Sequence, residues 1–108
     1  MELNPSMATI PQVSIVVPTI NEVENIEGLV SRVLSAAAGT GISLEMIIVD
    51  DGSTDGTREA VLKLGEKFPV SLVTRPHRMG ISSAVLEGFR HASGPILGAM
   101  DSDLSHPP

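Results

Sequence analysis

Four short apolar runs, rich in β-branched residues and closing on polar or charged groups, recur along the sequence: Val13–Val17, Leu44–Val49, Val70–Thr74 and Ile96–Met100. Continuous apolar runs of this length read as buried strands. Between the first two, Asn21 offers an N-cap with Glu24 three residues on. Ile26, Leu29, Val30, Val33, Leu34 and Ala37 follow at helical spacing until Gly39 and Gly41. Pro18 is expected to stop the first strand. Ser53, Thr54 and Asp55 offer caps for a second helix through about Lys67, with Val61, Leu64 and Phe68 on one face and Pro69 as its stop. A loop over Arg75–Gly80 precedes a third amphipathic stretch, Ile81, Ala84, Val85, Phe89 and Ala92, punctuated by Gly94 and Pro95. Strands alternating with helices through short connections predict an α/β fold, a parallel sheet flanked by helices on both faces.

At 108 residues and 42% hydrophobic, the chain supports one domain with a real core and excludes two. We divide it into an N-terminal lead, 1–12, and a folded region, 13–108. Phe68 and Phe89 are its only aromatic residues, which removes base-stacking platforms, and a net charge of −6 is the wrong sign for gripping a phosphate backbone. Nucleic acid is therefore not an expected partner. The absence of cysteine excludes disulfides, thiolate metal sites and thiol nucleophiles, and fits a reducing compartment, with the cytoplasm as the default. The lead has neither the basic start nor the apolar stretch of a secretory signal, and no run approaches ~18 apolar residues.

In parallel α/β sheets ligands bind at the carboxyl ends of the strands. The unusual polar groups collect there: Asn21 and Glu22, Asp50 and Asp51, Arg75 to Arg78, Asp101 and Asp103. The pair Asp101-Ser102-Asp103 suits a hard divalent cation, Mg or Mn, whose shell a diphosphate completes; the same residues also make an ordinary turn and cap. Asp50-Asp51-Gly52-Ser53 suits recognition of a ribose hydroxyl or of a base N–H edge, or a turn followed by a helix cap. Arg75, His77 and Arg78, with Gly80, offer cations to a phosphate, unless they are solvated surface. Residues 1–54 carry seven acids against Arg32 alone, whereas residues 55–108 carry six of each sign, so the cations for a phosphate lie in the second half. The first strand leads into PTINEVE, with bulky and charged residues where a dinucleotide fold needs bare glycine backbone, and no P-loop occurs. His77 and His106 lack partners at metal-ligand spacing, His91 reads as surface, and Met46, Met79 and Met100 read as core fillers.

The segments SIVVPTINEVENI, MIIVDDGSTDGT, TRPHRMGISSAVLEGFRHASG and ILGAMDSDLSHPP stand in the order and spacing of a known family. From about Val13 to its last residue the chain resembles the family-two inverting glycosyltransferases of GT-A fold. It is similar in particular to the polyprenyl-phosphate and dolichyl-phosphate mannosyltransferases, whose wording is close to RPxxxGLGSAVLEGF and MDADLSHPP. The resemblance implies that Pro18, Asn21 and Glu22 line the nucleotide pocket, that Asp51 recognises the base with Asp50 beside it, and that Arg75 and Arg78 fall near the donor phosphates. It implies that Asp101, Ser102 and Asp103 form the D-x-D that meets the nucleotide-sugar, that Asp101 and Asp103 hold Mg or Mn, and that Ser105 can add a ligand. The metal then acts as a Lewis acid on the leaving nucleoside diphosphate. The implied reaction is direct attack by a lipid phosphate oxygen on the anomeric carbon, with inversion.

By the same resemblance the donor is GDP-mannose, with UDP-glucose as its competitor, and the acceptor is a polyprenyl or dolichyl phosphate. The parent enzyme then works at the cytoplasmic face of a membrane, reached through a C-terminal part that this chain lacks. Ser82 stands where the usual wording has glycine. The family continues well past the D-x-D, so the chain reads as a donor-binding part that is inactive in isolation. Two other readings compete. ILGAMDSDLS also fits the strand and D-x-D of haloacid-dehalogenase-like phosphatases, in which the motif opens the domain instead of following three strands. A noncatalytic nucleotide-binding module is the other.

Overall fold

The computed structural model describes residues 10–77 and 79–102. Seven elements alternate along the chain: β1 (Val13–Thr19), α1 (Val23–Thr40), β2 (Leu44–Asp50), α2 (Thr57–Leu64), β3 (Val70–Thr74), α3 (Ile81–Arg90) and β4 (Ile96–Ala99). All strand pairs are parallel, in the order β3-β2-β1-β4. The expected α/β architecture is present, and no helix among the described residues is long and apolar enough to cross a membrane.

The central strands are mostly apolar because both of their faces are covered, and their polar residues, Ser14, Thr19, Glu45 and Asp50, lie toward the strand ends. Val17, Met46 and Ile48 pack with Ile26, Leu29 and Val30 of α1 and Val61 of α2. The alternate residues Val16, Ile47 and Val49 meet Ala84 of α3 on the other face. This is the pleat alternation of a parallel sheet with a layer of helices on each side.

Several boundaries differ from the sequence expectation. β1 runs through Pro18 to Thr19. The Val16 carbonyl accepts from Met100 N–H, on the β4 side, and strand alternation turns Pro18 to that same side. The β1–β4 ladder ends at Val16–Ala99, so the donor that proline lacks falls where no neighbouring strand needs it. β4 ends one residue early, at Ala99. α2 stops at Leu64, and turn bonds from Gly65 to Phe68 complete the segment, leaving Phe68 exposed instead of on the buried face. Met46 is fully buried, whereas Met79 is half exposed and no core filler. His91 lies on the surface beside Glu87, 3.2 Å away.

Strand order fixes where a site can form. From β1 the chain moves outward through β2 to β3, then returns past β1 to lay β4 on its other side. The order of the sheet therefore reverses at the β1–β4 pair, and such a switch point is where α/β sheets place a crevice between carboxyl ends.

Candidate functional site

Three loops meet at the carboxyl edge, and hydrogen bonds run between them as well as within them. Asn21 is not the helix cap the sequence suggested: it adopts φ 52, a left-handed conformation that asparagine tolerates. Its backbone N–H donates to Ser53 Oγ at 2.7 Å, and its Oδ1 accepts from Thr54 N–H at 2.9 Å. Glu22 takes the cap position without a side-chain capping bond. The open N–H groups entering α1 are satisfied from the next loop, Glu22 N–H by Thr57 Oγ1 (3.0 Å) and Val23 N–H by Asp55 Oδ2 (3.2 Å). Hydrogen bonds from Thr57 hold the Asp55 carboxyl below its ordinary value.

Asp50 is fully buried at the end of β2. Its Oδ2 accepts from Gly52 N–H (3.2 Å), Ser53 N–H (3.0 Å) and Arg58 Nε (2.6 Å), and its Oδ1 accepts from Ser53 Oγ. Burial opposes its ionisation, but the bonds from Ser53, Arg58 and Gly52 outweigh it, so its pKa is lowered. This carboxylate shapes the β2–α2 turn from within. Arg58 also donates from Nη2 to the Arg75 carbonyl at 3.0 Å, tying α2 to the end of β3. Sequence reasoning passed over Arg58. The available signal was electrostatic: an acid at the end of a buried strand needs a cation, and the first turn of the following helix supplies one eight residues on.

Asp51 meets Arg75 as a bidentate pair, Nε to Oδ1 at 2.7 Å and Nη2 to Oδ2 at 2.8 Å, with both side chains about nine-tenths buried. Arg75 also donates from Nη1 to Ser83 Oγ at 2.7 Å and from Nη2 to the Gly80 carbonyl at 3.4 Å. Its guanidinium therefore fastens the 75–80 loop to the start of α3, a task not foreseen for a residue read as a phosphate cation. Gly52, at φ 101, lies under this loop: a Cβ there would stand 3.3 Å from the Pro76 carbonyl oxygen. A polar cleft of about 380 Å³ opens here, lined by Gly52, Ser53, Thr54, Arg58, Thr74, Arg75 and Pro76. A larger apolar groove of about 1100 Å³, lined by Leu34, Leu44, Phe68 and Val70 among others, includes none of the predicted site residues.

At the β1–β4 crevice, Ser102 is buried and its Oγ donates to Glu22 Oε2 at 3.1 Å, while Asp101 beside it is exposed. Pro18 pairs with Val49 within the sheet. Asp103, Ser105 and Arg78 lie outside the described residues. Pro18, Asn21, Glu22, Asp50, Asp51, Arg75, Asp101 and Ser102 thus share one edge. Among the described residues no cluster of three or more His, Cys, Asp or Glu is placed to hold a metal. The donors that the D-x-D segment supplies, carboxylate and hydroxyl oxygens with Asp101 open to solvent, suit Mg or Mn when water and a diphosphate complete the shell.

Residues 14–108 match the family model described as Glycosyl transferase family 2. A dolichol-phosphate mannosyltransferase from Pyrococcus furiosus is 45% identical over 97 residues, covering 90% of this chain and 27% of that protein. One from Mycosarcoma maydis is 43% identical over 108 residues, covering 95% and 37%. Among solved structures, a mannosyltransferase from Pyrobaculum calidifontis in complex with GDP-Man and Mn2+ superposes with a TM-score of 0.75 at 34% identity, over 86% of this chain and 28% of that one. The chain thus spans between a quarter and two fifths of the length of these relatives. With the family model matched over nearly its whole length on a sheet of GT-A type, this chain belongs to glycosyl transferase family 2.

Proposed function

We propose that the chain is the donor-binding part of a mannosyltransferase that moves mannose from GDP-mannose to a dolichyl or other polyprenyl phosphate with inversion. The observation that carries this reading is the bond of Ser102, neighbour of the exposed Asp101, to Glu22 at the β1–β4 switch point, on the same sheet edge as the polar cleft of the β2 and β3 ends. The names of the Pyrococcus and Mycosarcoma relatives, and the GDP-Man and Mn2+ held by the Pyrobaculum enzyme, support the donor, metal and acceptor.

In this reading Asn21 and Pro18 wall the nucleotide pocket. Asp51 faces the base, its oxygens fixed by Arg75 with lone pairs left to accept an N–H. Asp50 supports that turn from beneath instead of touching the donor, and Arg78 is assigned to the donor phosphates. Asp101 and Asp103, with Ser105, would hold Mg or Mn. The chemistry such an ion supplies when bound is neutralisation of the leaving nucleoside diphosphate. The acceptor phosphate is already ionised, so its oxygen attacks the anomeric carbon with little demand for a general base. A lipid-bound acceptor would bring the parent enzyme to a membrane surface.

Calorimetric titration of the chain with GDP-mannose and with UDP-glucose, in Mn and in EDTA, tests the reading. Metal-dependent binding of GDP-mannose, lost in Asp101→Asn, is expected. Preferential binding of UDP-glucose would reassign the donor, and no binding by the folded chain would overturn the assignment of a donor site to these residues.

A further inference from the structure

The last ladder bond of β4 runs from Met100 N–H to the Val16 carbonyl at 3.0 Å. Among the described residues, the next tie along the chain is the side-chain bond from Ser102 Oγ to Glu22 Oε2 at 3.1 Å, between residues 80 positions apart. The other oxygen of Glu22, Oε1, accepts from Asn25 Nδ2 at 3.0 Å, in the first turn of α1. Glu22 therefore has one oxygen on the helix and one on the turn that follows β4. Ser102 is buried while Asp101 is exposed, so the tie holds the serine inward and leaves its neighbour open to solvent. A hydroxyl-to-carboxylate bond is charge-assisted and shielded here, stronger than its neutral counterpart.

We infer that Glu22 and Ser102 are a positioning pair, a latch across the β1–β4 crevice that holds the Asp101 turn against the start of α1 and so sets the carboxylate that meets the divalent ion. Neither residue needs to touch the donor for this. The inference rests on the metal-dependent reading above. It predicts that the latch tunes affinity for the ion itself, before any nucleotide is present, as outer partners that orient metal ligands do.

The test uses the whole 108-residue chain and its Ser102→Ala, Ser102→Thr and Glu22→Gln variants, with Mn alone as the probe. Mn uptake is followed by electron paramagnetic resonance, and amide hydrogen exchange at Asp101 and Ser102 by NMR without metal. Ser102→Ala is expected to weaken Mn binding about tenfold and to speed exchange at the turn, with Ser102→Thr restoring both. Glu22→Gln, which keeps the shape but removes the charge, should fall between them. Equal Mn affinity in wild type and Ser102→Ala would overturn the latch while leaving the metal site standing. A folded wild-type chain that takes up no Mn would overturn the donor-site reading and the positioning role together.

Discussion

Arg75 grips Asp51 through two parallel hydrogen bonds of 2.7 and 2.8 Å, both partners being about nine-tenths buried. The bonds from Asp51 hold the guanidinium above its ordinary pKa despite the burial, so the cation persists at every working pH. Removing one partner leaves a buried charge unpaired, a larger loss than the pair's own worth. Asp51→Asn should therefore destabilise the fold by about 3 kcal/mol in urea unfolding. The double variant Asp51→Asn with Arg75→Met should recover most of that loss. Additive losses in the double variant would show that the two side chains act separately.

Asp50 gives the fold a specific acid sensitivity. Its pKa is lower in the folded state than the ordinary value of 3.8, so between those two values the unfolded chain binds more protons and stability rises with pH. The contribution is complete above the unfolded value and is lost as pH falls through the folded one. Urea midpoints measured from pH 5 down to pH 2 should fall steeply for the wild type. For Asp50→Asn they should fall less, from a lower starting stability at neutral pH.

Two helical glycines should respond in opposite directions to the same substitution. At Gly88 a Cβ would come within 2.7 Å of Val16 Cγ2, a stiff β-branched side chain that is fully buried. Overpacking there should outweigh the gain in helix propensity, so Gly88→Ala should lose about 1–3 kcal/mol. At Gly39 nothing lies within 4 Å, and Gly39→Ala should gain up to about 1 kcal/mol. Thermal unfolding of both variants checks the pair.

At the opposite end of the sheet, the buried Ser14 hydroxyl donates to Glu45 Oε2 at 2.6 Å and accepts from Gly94 N–H at 2.8 Å. Glu45 Oε2 also accepts from Ser93 N–H at 2.7 Å, so one serine pins β1, β2 and the loop before β4. Ser14→Ala leaves the Gly94 N–H without that acceptor and should cost about 1–3 kcal/mol in the same unfolding assay.

The strands and their parallel pairing were legible because a doubly covered strand must be largely apolar, and Val13–Val17 and Leu44–Val49 are so apart from Ser14 and Glu45. The edge of the sheet that carries the polar residues was legible for the same reason, since charge was confined to strand ends. Partnership between those residues was not. Asn21, Ser53, Thr54 and Asp55 all read as local caps, yet each also bonds across loops, a choice made by sheet spacing and not by neighbours in the chain. Arg75 read as a cation waiting for phosphate because nothing in a linear sequence shows that Asp51, 24 residues earlier, ends up against it. Pro18 misled in the other direction: its missing donor matters only where a strand lies alongside, and β4 stops short of it.

The strand order also sets the sequence in which the molecule can be assembled. β1, β2 and β3 with their two intervening helices need only residues 13–74, so most of the buried aliphatic layer can collapse before β4 emerges from the ribosome. β4 then seats on the free flank of β1, closing the longest loop in the molecule, and Val13 finds Ile96. The contact between Glu22 and Ser102 comes into being with that docking step. A nascent chain would therefore have most of its core before that contact can form.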